Sequence, residues 1–227
     1  MTIEKTRYDR TTMLSAAGVI AGPIIFTLAW FILGFLSPGY RVGGDWISPF
    51  DPIAQPISGL GMGETGPWMN AGFILGGLVT VAGLPGTVRA VVRSAGSAGE
   101  LPRAGWVSVA LLALSPLGLV VAGIFTLDTP APHFLGFFLT AATPAVSFPV
   151  AGRYLRTLPG WRLFGTALLV AGPVTLVFLI TYLLSFDRAT VVANEGVAGL
   201  TSRLLGLAIH VWYIALGVRV LHRRAIG

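Results

Sequence analysis

Long apolar segments alternate with short polar ones along almost the whole chain of 227 residues. There are six such segments, and the last of them, at about 199–221, contains Arg203 near its start and His210 near its middle. The other five lack Asp, Glu, Lys and Arg, and are 11–40, 65–88, 104–127, 129–152 and 163–186. Because a helix that crosses a bilayer needs roughly 20 apolar residues, the pattern predicts six transmembrane helices. We expect them at about 14–36, 68–90, 104–127, 133–152, 163–185 and 200–220.

Composition agrees with a membrane protein. Charged residues make up 11% of the chain and the mean hydropathy is +0.80, whereas soluble domains are about one quarter charged. Backbone groups in lipid must be paired within their own segment, so spans of this length are helices. The predicted fold is therefore all-α, a polytopic bundle of six transmembrane helices at 14–221 with a structured outer loop at 37–67. A cytoplasmic tail at 1–13 precedes it, and a basic cytoplasmic tail at 222–227 follows.

The basic residues predict the orientation. Twelve of the fifteen Lys and Arg residues lie in the two tails, in the 91–103 and 153–162 connections, or at the adjoining helix ends. An excess of Lys and Arg marks the cytoplasmic side of a membrane protein. We therefore expect a multi-pass protein of the plasma membrane with both termini in the cytoplasm. The same topology accounts for the basic charge without a nucleic-acid partner. The chain has no cysteine, which excludes disulfides and thiolate chemistry.

The outer loop is too apolar for a solvated linker and too rich in Gly and Pro for one long helix. A loop of this length usually packs on its own protein or forms a functional lid. We expect it to fold back over the outer mouth of the bundle, with a short helical turn near 51–58.

Polar residues from separate parts of the chain fall at the level of the outer interface. They are Ser58, Asn70, Asp128, His133 and Arg203. His210 lies two helical turns below Arg203 on the same helix face. An ionisable residue within a transmembrane helix is a functional candidate, and it should face the interior.

These residues stand in motifs that resemble a family of bacterial six-helix membrane proteins known as domain of unknown function 998. The resemblance covers about 14–221 and rests on ISGLG at 57–61, WMNAGFILGG at 68–77, AGIFTLD at 122–128 followed by His133, and LTSRL at 200–204. It implies that the five polar residues at the outer interface are recurrent positions of the family, a pattern that does not place His210. The family name carries no activity, so the function has to be argued from the residues.

The segment DTPAPH, at 128–133, suggests a catalytic site. Its prolines restrict the corner between two helices, so that Asp128 could orient His133 as a general base. Ser58, supplied by the covering loop, would then be the nucleophile. We assign these three residues to catalysis, and assign Asn70, Arg203, His210 and Trp46 to substrate binding.

A structural interpretation of the same residues stays open. Asp128 or Thr129 can cap the fourth helix with Pro130 in its first turn. Asp128 can also pair with Arg203, because a charge near lipid needs a partner. His133 can sit at the headgroup level as an amphipathic side chain.

Three other classes of site fit the sequence less well. A zinc site would need Asp128, His133 and His210 at one depth, so we expect no metal and no cofactor. An ion-coupled transporter places carboxylates or broken helices near the midplane, where this chain has no Asp or Glu. A channel needs a polar pore lining that these helices lack.

Three functions are therefore carried forward, and whether the protein is an enzyme stays open. The first is binding or processing of a membrane lipid or other amphipathic molecule, with hydrolase or transferase chemistry. The second is a non-enzymatic accessory or sensor protein whose polar cluster stabilises the bundle. The third is acid-initiated chemistry on an isoprenoid, with Asp128 as proton donor. The oligomeric state is not determined by the sequence.

Overall fold

A computed structural model describes residues 10–97 and 100–226, with side chains to residue 223. Its helices are α1 Arg10–Leu36, α2 Gly66–Ser94, α3 Arg103–Ile124, α4 Pro130–Ala142, α5 Pro144–Arg156, α6 Arg162–Ser185, α7 Arg188–Val192 and α8 Ala198–Ile226. In this described part, six helical segments are long and apolar enough to cross a membrane, with α4 and α5 together forming one of them. The predicted all-α bundle of six spanning helices is confirmed.

The ends of the bundle differ from the predicted domain boundaries. Helix α1 already begins at Arg10, and α8 continues as far as Ile226. Helix therefore covers the last residues of the predicted N-terminal tail and most of the predicted 222–227 tail. The rest of the N-terminal tail, residues 1–9, lies outside the described residues.

The fourth span is divided between α4 and α5 at Thr143 and Pro144. Proline has no backbone N–H, so Pro144 cannot donate to the carbonyl of Thr140 one turn earlier. That carbonyl instead accepts a hydrogen bond of 2.8 Å from Ser115 Oγ on α3. The polar side chain on the neighbouring helix thus compensates for the break.

The helices pack largely in chain order, and α8 closes the bundle against α1 and α6. Small residues allow α1 and α2 to approach closely. A Cβ atom added to Gly76 would lie 2.9 Å from the carbonyl oxygen of Gly22. In contrast, α4 packs closely on α3 and only over a short stretch on α6. The bundle is therefore loosely closed between α4 and α6.

The outer loop folds back onto the bundle, as its composition predicted. It contains an antiparallel hairpin of β1 Tyr40–Val42 and β2 Asp45–Ile47, followed by 3-10 turns at Ile57–Gly61 and Gly63–Thr65. Ile47 and Leu60 are at most 1% exposed. The expected helical turn begins at Asp51, whose backbone carbonyl accepts a hydrogen bond of 2.8 Å from the backbone N–H of Gln55. The hairpin was not predicted.

Candidate functional site

Ser58 and His133 come together although 75 residues separate them. Ser58 lies in the first 3-10 turn of the outer loop, and His133 lies in the first turn of α4. Ser58 Oγ is 3.1 Å from His133 Nε2. The His133 side chain is 4% exposed, and Ser58 is half-buried. The predicted contact between Ser58 and His133 is present.

The group that orients His133 is a backbone carbonyl and not Asp128. His133 Nδ1 lies 2.7 Å from the carbonyl oxygen of Phe125. A carbonyl can only accept, so Nδ1 carries the proton, and Nε2 of the neutral ring accepts from the Ser58 hydroxyl. The assignment of Asp128 as the orienting residue is therefore wrong. A carbonyl fixes the tautomer as a carboxylate does, but it carries no full charge to stabilise an imidazolium.

The end of α3 explains why this carbonyl is available. Helix α3 ends at Ile124, and Phe125 has extended backbone angles, so its carbonyl points away from the helix ladder. A tight turn follows, in which the Thr129 amide donates to the Thr126 carbonyl at 2.9 Å. Thr129 is the N-cap residue of α4 and Pro130 starts the helix, as the structural interpretation expected, although no side chain caps it.

Asp128 lies exposed in this turn, at the rim of a cavity. The acid-initiated isoprenoid chemistry requires a carboxyl inside an apolar cavity, whereas the Asp128 side chain is exposed at the rim. Asp128 is also not the partner of Arg203, so that predicted pairing is wrong as well.

Arg203 is 7% exposed and its positive charge is held by carbonyls of the outer loop. Its Nη1 donates to the carbonyls of Pro52 at 2.8 Å and Gln55 at 3.0 Å, and to Gly199 of its own helix at 2.9 Å. The guanidinium also lies 5.4 Å from the ring centre of Trp30. Arg203 therefore anchors the loop that carries Ser58, and it does not line the cavity.

Asn70 has a similar anchoring role. Its Nδ2 donates to the carbonyl of Gly61 at 3.1 Å, at the end of the 3-10 turn that contains Ser58. Asn70 thus fixes this turn to the start of α2. Neither Asn70 nor Arg203 is among the residues that line the cavity beside Ser58, so their predicted role in substrate binding becomes a positioning role.

A cavity of about 570 Å³ adjoins Ser58 and His133. We call it the outer cavity, and its walls come from the hairpin, the first 3-10 turn, α4, the end of α6, and α7. Most of the lining is apolar, and much of it aromatic: Tyr40, Phe134, Phe137, Phe138, Tyr182 and Phe186. Phe134 on α4 and Leu183 on α6 are 49% and 45% exposed. The cavity therefore lies at the loosely packed seam between α4 and α6.

Two tyrosines of this cavity were not recognised in the sequence. Tyr40 and Tyr182 are 2% and 9% exposed, and in the described residues neither hydroxyl has a hydrogen-bond partner. A Cβ atom added to Gly59, next to Ser58, would lie 2.6 Å from the Tyr40 hydroxyl oxygen. Burial raises the pKa of Tyr40 to about 12. No sequence signal separates these two tyrosines from the other three.

A second, smaller cavity of about 70 Å³ also borders Ser58 and His133. We call it the inner chamber. His210 lines it and is 5% exposed, so its predicted inward orientation is confirmed. Trp46 is 52% exposed and stacks on Arg41 at 5.5 Å. It does not line either cavity, which removes the basis for its assignment to substrate binding.

The residues that a zinc site would have needed do not assemble. Across residues 10–97 and 100–226, no three His, Cys, Asp or Glu side chains come close enough together to hold one metal ion. Asp128, His133 and His210 are therefore not one ligand set.

Comparison with known proteins gives a family but no activity. A family model described as "Protein of unknown function (DUF998)" matches residues 20–219. Neither the curated proteins nor the solved structures include a match to the chain.

Proposed function

The chain belongs to the DUF998 family of membrane proteins, and because that name assigns no activity, we propose from the site itself that it is a serine hydrolase or acyltransferase acting on a membrane lipid or similar amphipathic ester. The observation that carries the proposal is the hydrogen bond between Ser58 Oγ and His133 Nε2 in the wall of the outer cavity. A serine hydroxyl becomes a useful nucleophile when a base beside it can remove its proton.

The outer cavity suits an apolar chain with a polar end. Its volume of about 570 Å³ is within the range of pockets that enclose small organic ligands. Phe134 and Leu183 line it from the two sides of the α4–α6 seam. A lipid in the surrounding bilayer can reach Ser58 through this seam without leaving the membrane.

The chemistry begins with attack of Ser58 Oγ on the carbonyl carbon of the ester. The hydroxyl proton passes to His133 Nε2, which then gives it to the departing alcohol as the carbon–oxygen bond breaks. An acyl group stays on Ser58. Water or another alcohol then attacks this acyl group, gives its proton to Nε2, and regenerates the Ser58 hydroxyl.

The Tyr40 hydroxyl is the best candidate to stabilise the oxyanion. With a pKa of about 12, it keeps its proton at neutral pH and can donate it in a hydrogen bond. Such donors in a dry site contribute substantially to acyl transfer. Tyr40→Phe should therefore slow turnover while leaving lipid binding intact.

A lipid-chain fluorophosphonate tests the proposed nucleophile in purified protein. Wild-type protein should be labelled on Ser58, and Ser58→Ala and His133→Gln should abolish labelling. Ser48→Ala is a matched control, because Ser48 is an exposed serine of the same loop. Labelling of Ser58→Ala at the wild-type rate would refute the proposal.

A non-enzymatic accessory or sensor protein is the second candidate. It is favoured by the several polar side chains that bind backbone carbonyls of the outer loop, among them Asn70 and Arg203. In that case the Ser58–His133 hydrogen bond is a further fastening of the loop. Ser58→Ala would then lower the melting temperature, and the wild-type protein would not react with the fluorophosphonate.

The proposed orientation has both termini in the cytoplasm of a cell whose plasma membrane contains the protein. The support is the distribution of Lys and Arg along the chain. Since the chain has no cysteine, single cysteines can be introduced at Glu64 and Ser97, which are exposed. The neighbouring Gly63 and Gly96 are unsuitable, because they have φ of +63° and +92°.

An impermeant maleimide should label Glu64→Cys in intact cells and should label Ser97→Cys only after lysis. The reverse pattern would show that the termini are outside.

A further inference from the structure

The Ser58–His133 pair borders two spaces. Five residues line both the outer cavity and the inner chamber: Pro56, Ser58, His133, Phe137 and Tyr182. The outer cavity extends towards the α4–α6 seam, whereas the inner chamber extends to His210 on α8. Whatever occupies the inner chamber therefore has access to the same two reactive side chains.

His210 indicates what that occupant is. Its Nδ1 is buried, and among the described residues it has no hydrogen-bond partner. The ring packs perpendicular to the ring of Phe26, at a centroid distance of 5.2 Å. An unpaired polar atom in a protein interior costs about 1–3 kcal/mol. Such atoms are commonly hydrogen-bonded to a buried water molecule, which makes about three hydrogen bonds.

Two further polar side chains that line the chamber also suit water. Ser202 Oγ donates to the carbonyl of Gly199 at 2.8 Å, and Thr140 Oγ1 donates to the carbonyl of Gly136 at 2.9 Å. Their hydrogens are used, so their oxygens are left as acceptors. Water supplies two donors, and a neutral imidazole supplies one donor and one acceptor. A volume of about 70 Å³ has room for about two to four waters at roughly 15–30 Å³ each.

We propose that the inner chamber holds ordered water that links His210 to the Ser58–His133 pair, and that one of these waters completes the reaction. The second part rests on the proposed function and makes the protein a hydrolase. The water oxygen bonds to the acyl carbon on Ser58 and its proton passes to His133 Nε2. The bond from that carbon to Ser58 Oγ breaks, the proton moves from Nε2 to Oγ, and a carboxylic acid leaves through the outer cavity.

The kinetic test uses p-nitrophenyl decanoate in detergent micelles. Wild-type protein should release nitrophenol in a rapid burst equal to the amount of Ser58, followed by steady turnover. His210→Leu should keep the burst and lose about tenfold in the steady rate, because acylation does not need the water and deacylation does. His210→Gln, which keeps hydrogen-bonding groups, should retain most of the steady rate.

His222→Leu is the matched control, since His222 is an exposed histidine of the same helix, and both phases should stay at the wild-type level. If His210→Leu does not fold, Ser202→Val carries the same test, because its methyl groups displace water from the chamber. Unchanged burst and steady phases in a folded His210 or Ser202 variant would overturn the assignment of this water as the acceptor.

The occupancy of the chamber is measured separately, in a structure at a resolution that shows ordered water. Density should lie within hydrogen-bond distance of the His210 ring in wild-type protein and should be absent in His210→Leu. A dry wild-type chamber would overturn the inference. A missing burst with water present would instead refute the hydrolase while leaving the water site in place.

Discussion

The two ends of the bundle hold arginine in the same way but enclose very different volumes. At the outer end, Arg203 stacks on Trp30 and donates to loop carbonyls, below a loop that borders a cavity of about 570 Å³. At the opposite end, which we call the inner end, Arg219 and Arg223 lie 5.3 and 5.0 Å from the ring centre of Trp161. The void described in that half of the bundle measures about 20 Å³.

The difference lies in what each loop places beneath itself. The inner loop between α5 and α6 is short, and it plugs the space with Trp161, which is fully buried and donates from Nε1 to Ser94 Oγ at 2.9 Å. Both inner arginines donate to the carbonyl of Gly160 beside it. The outer loop spans the bundle without a comparable plug at the α4–α6 seam. Hydrogen bonds from arginine to backbone carbonyls therefore hold a loop in place at both ends of the bundle. The cavity arises because no side chain of the described residues fills the seam between α4 and α6.

The largest effect should come from removing the outer arginine. Arg203→Met leaves the carbonyls of Pro52 and Gln55 without this donor, and should cost about 3 kcal/mol of unfolding free energy, measured by thermal unfolding in detergent. Asp128→Asn should not rescue it, because Asp128 is not its partner. Arg188→Met is the control, since its exposed ion pair with Asp45 should contribute about 0.5 kcal/mol or less. Equal losses in the two variants would contradict the anchoring role.

The inner plug should matter for stability but not for the site. Trp161→Phe removes the hydrogen bond to Ser94 and weakens the arginine stacking, so it should cost about 1–2 kcal/mol. Fluorophosphonate labelling of Ser58 should stay at the wild-type rate, measured below the melting temperature. A loss of labelling would show that the two ends are coupled.

A smaller effect is expected at the turn that carries Ser58. Asn70→Ala removes the hydrogen bond to Gly61 and should lower stability by about 1 kcal/mol. Its labelling should fall as well, because the turn is no longer held against α2. Trp68→Phe on the same helical turn is the control, as Trp68 is 72% exposed. Normal labelling of Asn70→Ala would remove its positioning role.

The smallest effect should come from Asp128→Asn. Because the side chain is exposed, the free energy of unfolding should change by less than about 0.5 kcal/mol, measured from the melting temperature. Labelling of Ser58 should also persist, because Phe125 orients His133. Loss of labelling with unchanged stability would restore Asp128 to the catalytic set.

Part of the site could be found in the sequence because polar residues in an apolar chain are few. The contact between Ser58 and His133 agrees with the prediction, which rested on one polar residue in the covering loop and one at the start of the fourth spanning helix. The orienting group was missed because a backbone carbonyl leaves no mark in the residue types. Asp128 was chosen for its charge, and Arg203 was given an acidic partner for the same reason. Instead, Nη1 of Arg203 donates to loop carbonyls, and Asp51 of the same loop is the acidic residue that acts on its charge.

What the sequence determined by itself is the set of spanning helices and the long loop that folds back over one end of the bundle. Apolar run length is a local property, and the bilayer allows few other structures for such runs. The tertiary structure decided which groups meet across the bundle: the Phe125 carbonyl with His133, the loop carbonyls with Arg203, and Tyr40 with the Ser58 turn. It also decided the α4–α6 seam, because a cavity is the space that packing leaves unfilled and depends on how whole helices fit together.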